Sequence, residues 1–234
     1  EKQPNAIPYM TSYYQKNWGF CISQNQKNQI SKFYKPKDIF KITIDTNFKK
    51  NGSLTYGEFY IPGKSKKEIF ISTYICHPSM ANNELSGPLL AILIANYFSK
   101  RKNNLSIRII FIPETIGSIA YLSKNLNRLK KNVIFGLILS CVGDEREYSY
   151  LPTKYGKTLA DRAVIKNYKD LKINFKKYSF LDRGSDERQY NSPGVDLPVA
   201  SIMRSKYGTY PEYHTSLDNF DLVTEKGLLG SFKI

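Results

Sequence analysis

Histidine, tryptophan and cysteine are scarce in this sequence of 234 residues, which has two histidines, one tryptophan and three cysteines. The cysteines, Cys21, Cys76 and Cys141, are odd in number and lack the spacing of a metal-binding motif. Cys76 and Cys141 lie in apolar, strand-like runs. This placement predicts reduced thiols in the core of a cytoplasmic protein.

Long apolar runs are absent, since none approaches the ~20 residues that a membrane-spanning helix needs. A fully disordered chain is also excluded, because 41% of the residues are hydrophobic and 14% are aromatic. The length suffices for one sizeable α/β domain with a small appendage. The sequence begins with Glu1 and shows no signal peptide, which we interpret as the start of a trimmed product.

Acidic residues are few: 20 aspartates and glutamates stand against 35 lysines and arginines, for a net charge of +15. Such a charge can attract nucleic acid, anionic lipid or an acidic substrate. The lysines, however, are spread thinly beside turns and after helices, without a basic helix or a stripe interleaved with aromatic residues. The pattern therefore favours a lysine-rich surface over nucleic-acid binding.

The first part of the chain has the sequence features of short strands broken by turns. Residues 18–23, 39–48 and 54–62 alternate apolar and polar residues or are rich in aromatic ones. Asn, Pro and Gly separate them, and Asn51-Gly52-Ser53 is a candidate hairpin turn. We predict a small β-rich domain over residues 1–66.

From residue 67 the pattern changes to apolar strands that alternate with helices. The predicted strands are 69–75, 106–113, 133–142 and 197–203, and the predicted helices are 86–100, 116–131 and 158–168. This alternation is typical of an α/β fold with a mostly parallel sheet sandwiched by helices, here over residues 67–234. In such sheets the chemistry lies in loops beyond the carboxyl ends of the strands.

The unusual residues of the sequence follow predicted strand ends. His77, Glu114 and Asp144 each come directly after a strand, and His214 lies in the loop after the last one. Two imidazoles and carboxylates at one edge of a sheet suit a borderline cation such as zinc. The sequence therefore predicts a zinc site at this edge.

Each of these residues also has a structural explanation. A single histidine at a strand end is more often a hydrogen-bonding residue than a ligand, and Glu114 can favour a helix dipole. Asp144 lies in a charged loop, and Asp186 can cap a short helix. Taken together these explanations weaken, because all the residues are predicted to lie at one edge.

The order of these motifs resembles the zinc-dependent aminopeptidases of the di-zinc exopeptidase type over roughly residues 67–224. Those enzymes have a histidine after a strand, a bridging aspartate before a helix, a glutamate pair, a later aspartate, Ser-Asp-His and Tyr-His-Thr-x-x-Asp. The matching stretches here are His77, Asn83 to Gly87, Glu114 to Ser118, Ser140 to Asp144, Ser185 to Glu187 and Tyr213 to Asp218. The chain is most similar to bacterial aminopeptidase-like proteins associated with polysaccharide biosynthesis. That likeness implies that residues 1–66 are an inserted β domain, and that a winged helix follows in the family.

The sequence departs from the family at several ligand positions. Asn83 stands where the bridging aspartate is expected, Thr115 replaces one glutamate, and Glu187 replaces the histidine of Ser-Asp-His. Two adjacent metal ions need a bridging anion between them. We therefore expect one zinc rather than two, held by His77 and His214 with oxygen from Asp144, Asn83 or Glu84.

The resemblance implies metal-assisted hydrolysis of an amide in a peptide or aminoacyl-type small substrate. Glu114 would act as general base, and Asp186 would orient the substrate amine or support the site. Arg204, Tyr210 and Tyr213 would shape the substrate pocket, with Cys76 a buried spacer. The thinned carboxylate set leaves open a second interpretation, a catalytically weak metal-binding relative that serves as a binding or regulatory module. The oligomeric state stays open.

Overall fold

The computed structural model describes residues 2–12, 15–47 and 49–234. Its strands are β1 Gly57–Ile61, β2 Ser65–Tyr74, β3 Leu105–Ile112, β4 Val133–Leu139, β5 Ser149–Leu151, β6 Lys176–Lys177 and β7 Val199–Met203. Its α-helices are α1 Gln24–Phe33, α2 Ser86–Ser99, α3 Ile116–Asn132, α4 Leu159–Asp170, α5 Glu187–Tyr190 and α6 Glu225–Phe232. A π-helical turn, Ala81–Leu85, leads into α2, and a short 3₁₀ turn spans Phe180–Asp182.

The seven strands form one mixed sheet in the order β1-β3-β2-β4-β7-β5-β6. The four central strands, β3, β2, β4 and β7, run parallel, so their carboxyl ends meet at one edge. β1 is antiparallel to β3, and β5 is antiparallel to β7. The parallel centre and the antiparallel flanks together confirm the predicted α/β class.

Helices cover both faces of the sheet because neighbouring residues of the buried strands point to opposite sides. Ile71 and Ile109 pack on one face with residues of α2 and α4, such as Leu90 and Tyr168. Phe70, Ile110 and others pack on the opposite face with α3 and α5. The central strands are therefore largely apolar, with a buried Arg108–Glu68 ion pair joining β3 and β2.

The start of α2 lies very close to the carboxyl end of β4. A Cβ atom on Gly87 would lie 2.3 Å from the Leu139 carbonyl oxygen at the end of β4. Only glycine lets the helix begin this near to the strand end. The π-helical turn before α2 is consequently held against the same edge.

The segment before β1 differs from its prediction. Residues 18–23 and the described part of 39–48 form no strand, and Phe48 lies outside the described residues. Ser23 instead caps α1 through a capping box with Gln26, a Ser-x-x-Gln signal present in the sequence. Alternation alone does not make a strand without a hydrogen-bonding partner, and Ile39 is 98% exposed.

The rest of the predicted β-rich domain does contain a strand, but that strand belongs to the main sheet. Residues 54–62 contain β1, but β1 pairs with β3 of the main sheet, and the turn at residues 51–53 does not join two strands. An isolated bridge joins Pro8 to Thr215. The domain division at residue 66 stays a prediction.

Candidate active site

The two histidines of the chain meet beyond the carboxyl ends of the parallel strands. His77 follows β2, and His214 lies in the loop after β7. Their ring centroids are 5.2 Å apart, with an interplanar angle of 36°. The structure thus brings together two side chains that are 137 residues apart in the sequence.

His77 is held by a carboxylate and a thiol. Its Nδ1 atom lies 2.5 Å from Glu84 Oε1 and 3.1 Å from Cys76 Sγ. Glu84 also accepts a hydrogen bond from the Cys76 amide, at 2.7 Å. Burial lowers the pKa of His77, but hydrogen bonds to Cys76 and Glu84 outweigh it and raise this pKa to about 10. His77 therefore holds a proton at neutral pH when no metal competes for it.

The pKa of His214 shifts in the opposite direction from that of His77. Burial and the nearby positive charge of His77 lower the pKa of His214 below its ordinary value. The Tyr213 ring stacks on it at 3.9 Å, and its backbone has a left-handed φ of 55°. His214 Nε2 is buried and has no hydrogen-bond partner among the described residues. A neutral imidazole with such a nitrogen is a ready metal ligand.

Asn83 contributes a second buried polar atom without a partner. It lies in the π-helical turn, and its amide nitrogen donates to the Tyr74 hydroxyl at 2.9 Å. Its Oδ1 atom has no hydrogen-bond partner among the described residues. Such atoms are rare in folded proteins, and a bound ion or ordered water is the usual partner of many of them.

Glu114 is presented by a tight turn between β3 and α3. The Ile116 amide donates to the Glu114 carbonyl at 2.7 Å, and Thr115 has φ 60° and ψ −70°. This is the rare γ-turn geometry, and strained backbone of this kind clusters at functional sites. Burial raises the pKa of Glu114, which a hydrogen bond from Ser185 and the charge of His77 partly offset.

Asp186 supports that turn from the neighbouring loop. Its Oδ1 atom accepts from the Thr115 amide at 2.8 Å and from the Ser118 hydroxyl at 2.9 Å. Burial raises the pKa of Asp186 to about 7, and the charges of Glu114 and Glu187 add to the effect. Asp186 therefore holds the segment that presents Glu114.

Asp144 has a different environment from the one the zinc prediction requires. Its two oxygens accept four hydrogen bonds, from the Arg146 and Ser205 amides, the Ser205 hydroxyl and the Asn82 side chain. Asp218 likewise accepts from the Asn82 and Asn83 amides and from the Tyr210 hydroxyl. Both carboxylates hold the π-helical turn in place.

The three residues predicted to line the substrate pocket, Arg204, Tyr210 and Tyr213, lie in different surroundings. Tyr213 contacts His214 directly, whereas the Tyr210 hydroxyl is committed to Asp218. The buried Arg204 guanidinium stacks on Tyr148 at 3.6 Å, apart from the contacts around the histidines. The role of these three residues in substrate binding stays a prediction.

Sequence reasoning missed one contributor and misplaced another. Glu84, one of three candidate oxygen donors in the sequence, is the carboxylate that contacts His77. The Tyr9 ring packs edge-on against both histidines, with centroid distances of 5.4 Å to His77 and 5.6 Å to His214, and no short motif marks it. Cys76 was predicted in the core but is exposed, because β2 ends at Tyr74. Cys141 is buried as predicted.

The side chains gathered here are of the types that bind a borderline divalent cation. Two imidazoles meet, and His214 Nε2 and Asn83 Oδ1 are buried without a partner among the described residues, so each is available to a ligand. The Glu84–His77 pair is the carboxylate–histidine arrangement in which the other ring nitrogen serves as ligand. Cys76, His77 and Glu84 also bring a sulfur, a nitrogen and an oxygen within 4.8 Å of one another.

Comparison with known proteins agrees with this architecture. A "polysaccharide biosynthesis protein with aminopeptidase-like domain" from Clostridium acetobutylicum is 45% identical over 98% of this chain and 51% of its own length. The crystal structure of a peptidase-like protein from the same organism matches with a TM-score of 0.92 and 44% identity, over 99% of this chain and 53% of that one. The chain thus spans about half the length of these relatives.

A more distant structure shares the fold alone. A zinc aminopeptidase from Bacillus subtilis matches with a TM-score of 0.61 and 16% identity, over 76% of this chain and 47% of that one. The seven-stranded mixed sheet and its helices therefore define a zinc exopeptidase-like fold. The chain itself belongs to the family described as "Domain of unknown function (DUF4910)", whose model matches residues 8–234. No helix among the described residues is long and apolar enough to cross a membrane.

Proposed function

We propose that this chain is a metal-dependent amide hydrolase of the aminopeptidase type, with one zinc held by His77 and His214. The observation that supports this most directly is the histidine pair, 5.2 Å apart, beside buried atoms of His214 and Asn83 that have no partner among the described residues. The substrate class is a peptide or aminoacyl-type small molecule, in line with the aminopeptidase-like names of the relatives.

Zinc at this position would polarise the scissile carbonyl and lower the pKa of a bound water. Glu114 takes a proton from the attacking water and delivers it to the leaving amine. Its raised pKa makes it a stronger base than an exposed glutamate, which suits this role near neutral pH. Asp186 positions the turn that presents Glu114, through the Thr115 amide and the Ser118 hydroxyl.

One ion fits better than two because the residue at the bridging position is neutral. Asn83 offers an amide oxygen where a pair of zinc ions would need a carboxylate between them. Glu84, the nearest carboxylate in the chain order, is already engaged by His77 and by the Cys76 amide. Asp144 is similarly engaged by its four donors.

The neutral Asn83 at the bridging position also supports a second candidate function, a metal-binding module with weak or no catalysis. A site with an amide in place of a carboxylate holds metal more weakly and polarises substrate less. The name of the relative from Clostridium acetobutylicum associates it with polysaccharide biosynthesis. Either candidate could act in the cytoplasm, the location that the cysteine pattern predicts.

Hydrolysis of a panel of aminoacyl amides by the zinc-loaded protein tests the proposal. The Glu114→Gln variant keeps the shape of the side chain but removes the base, so turnover should fall while zinc binding persists. Glu225→Gln, at an exposed glutamate that begins α6, is the matched control. Zinc binding without turnover in the unaltered protein would favour the second candidate, and absence of both would overturn the proposal.

A further inference from the structure

A groove near the amino terminus adjoins the histidine pair and has no role in the proposed hydrolysis. Residues 7–12 and 17–21 line it, and its volume is about 660 Å³. We call it the N-terminal groove. The first of these two runs, residues 7–12, is hydrogen-bonded to the loop after β7.

Hydrogen bonds fix one wall of the groove to the site. The Tyr9 amide donates to the His214 carbonyl at 2.8 Å, and the Ser216 amide donates to the Ile7 carbonyl at 2.9 Å. The Ile7 amide donates in turn to the Ser216 hydroxyl at 3.0 Å. Tyr9 therefore belongs both to the groove and to the surroundings of the two histidines.

The lining combines exposed apolar surface with small polar groups. Trp18 is 68% exposed and Phe20 is 58% exposed, which is high for large aromatic side chains. Thr11 and Asn17 add a hydroxyl and an amide beside these rings, and such groups both donate and accept hydrogen bonds. Ser12 donates its hydroxyl to the Gln15 carbonyl and retains its acceptor capacity.

Charge is missing from this surface. None of the described residues that line the groove is charged, although the chain as a whole has a net charge of +15. A charged ligand would find no opposite charge here, and a purely apolar ligand would leave the hydroxyl and amide groups unmatched. The surface suits a neutral ligand with flat C–H faces and several hydroxyls.

From this combination we propose that the N-terminal groove binds a neutral glycosyl group, with its ring against Trp18 and Phe20 and its hydroxyls on Thr11 and Asn17. Tyr9 then stands between the bound sugar and the histidines. This binding site goes beyond the proposed hydrolysis, and its occupation requires neither a metal nor turnover.

The single tryptophan of the chain gives a direct test, because Trp18 is the only source of indole fluorescence. We would titrate the protein with the neutral disaccharides maltose, cellobiose and diacetylchitobiose, and with phenylalaninamide as the peptide-like competitor. At least one disaccharide should shift Trp18 emission to shorter wavelength and reduce its quenching by acrylamide, in a saturable manner. Shielding by phenylalaninamide alone, or by no probe at all, would overturn the proposal.

Two variants sharpen the titration while Trp18 stays in place. Asn17→Ala removes a hydrogen-bonding side chain and should weaken disaccharide binding about fivefold or more. Phe33→Ala removes an exposed aromatic ring of α1 outside the groove, and binding should not change. Equal binding by Asn17→Ala and the unaltered protein would contradict the assigned contact. Circular dichroism melts would show that both variants fold.

Discussion

Two sets of ionisable side chains lie at the same edge of the sheet, and they differ in how far the protein satisfies them. The open set contains His77, His214 and Glu114. His77 contacts Glu84 and Cys76, Glu114 accepts a hydrogen bond from Ser185, and His214 Nε2 has no partner among the described residues. The closed set contains Asp144 and Asp218, which accept four and three hydrogen bonds from neighbouring side chains and amides.

The two sets therefore have different roles: the open set can bind a ligand, and the closed set stabilises the fold. A carboxylate that already accepts three or four hydrogen bonds has little capacity left for a ligand, whereas a group with one or two partners can still bind one. The closed set holds the π-helical turn that includes Asn83, so it acts on the site only through that turn. Position after a strand is common to both sets, and the hydrogen-bond partners distinguish them.

The largest expected effect comes from the open set. Glu114→Gln should lower kcat for aminoacyl amides by about 100-fold or more, since a positioned general base contributes that much. Zinc content should be unchanged, because Glu114 is not among the proposed ligands. A variant with full activity would place the base elsewhere, and steady-state kinetics on the zinc-loaded protein makes the distinction.

The closed set should show its effect in stability instead. Asp144→Ala removes the acceptor of four hydrogen bonds, three of them from buried donors, and should reduce the free energy of unfolding by about 3 kcal/mol. Asp170→Ala, an exposed partner of Lys166 on α4, should cost less than about 0.5 kcal/mol. Urea unfolding measures both. If the folded Asp144→Ala protein loses its zinc, Asp144 belongs to the open set after all.

Replacing the Asn83 amide with a carboxylate should strengthen metal binding at the site. Asn83→Asp restores an anion beside the histidines and should raise zinc affinity about tenfold or more. The exposed Asn96→Asp on α2 adds the same charge away from the site and is the control. Competition against a chelator of known affinity reports the change. No gain would mean that the Asn83 oxygen does not face the metal.

The smallest expected effect concerns Asp186 and pH. Its pKa of about 7 in the folded protein exceeds the ~3.9 of an unfolded aspartate, so the folded state favours the protonated form. Its contribution to stability is therefore full below pH ~4 and is lost as the pH rises through 7. In zinc-free Asp186→Asn, the decline in unfolding free energy between pH 5 and 8 should shrink by on the order of 1 kcal/mol. An identical pH profile would show that Asp186 ionises without cost.

Sequence patterns predicted the alternating part of the fold because burial determines it. The helices predicted at 86–100 and 116–131 are confirmed as Ser86–Ser99 and Ile116–Asn132, each with an apolar face on the sheet. Before residue 57, aromatic alternation gave false strands. There the capping box at Ser23 was the better local signal.

Sequence patterns also predicted part of the site, because they show which residues follow the ends of strands. Strand-end positions identify candidates, and the meeting of His77 and His214 follows from parallel strands. Hydrogen-bond partners depend on backbone geometry that the sequence does not display, such as the left-handed Thr115 and the π-helical turn. Tyr9 was consequently overlooked, and the sequence did not distinguish between Glu84, Asn83 and Asp144 as oxygen donors.

The most direct test of the central claim is the zinc content of the protein purified without chelator. We expect about one zinc per chain, lost in His77→Ala and in His214→Ala but kept in Tyr213→Phe, which retains the ring stacked on His214. Nearly two per chain would contradict the single-ion site. No zinc, even after zinc is added back, would contradict the assignment of the histidine pair as a metal centre.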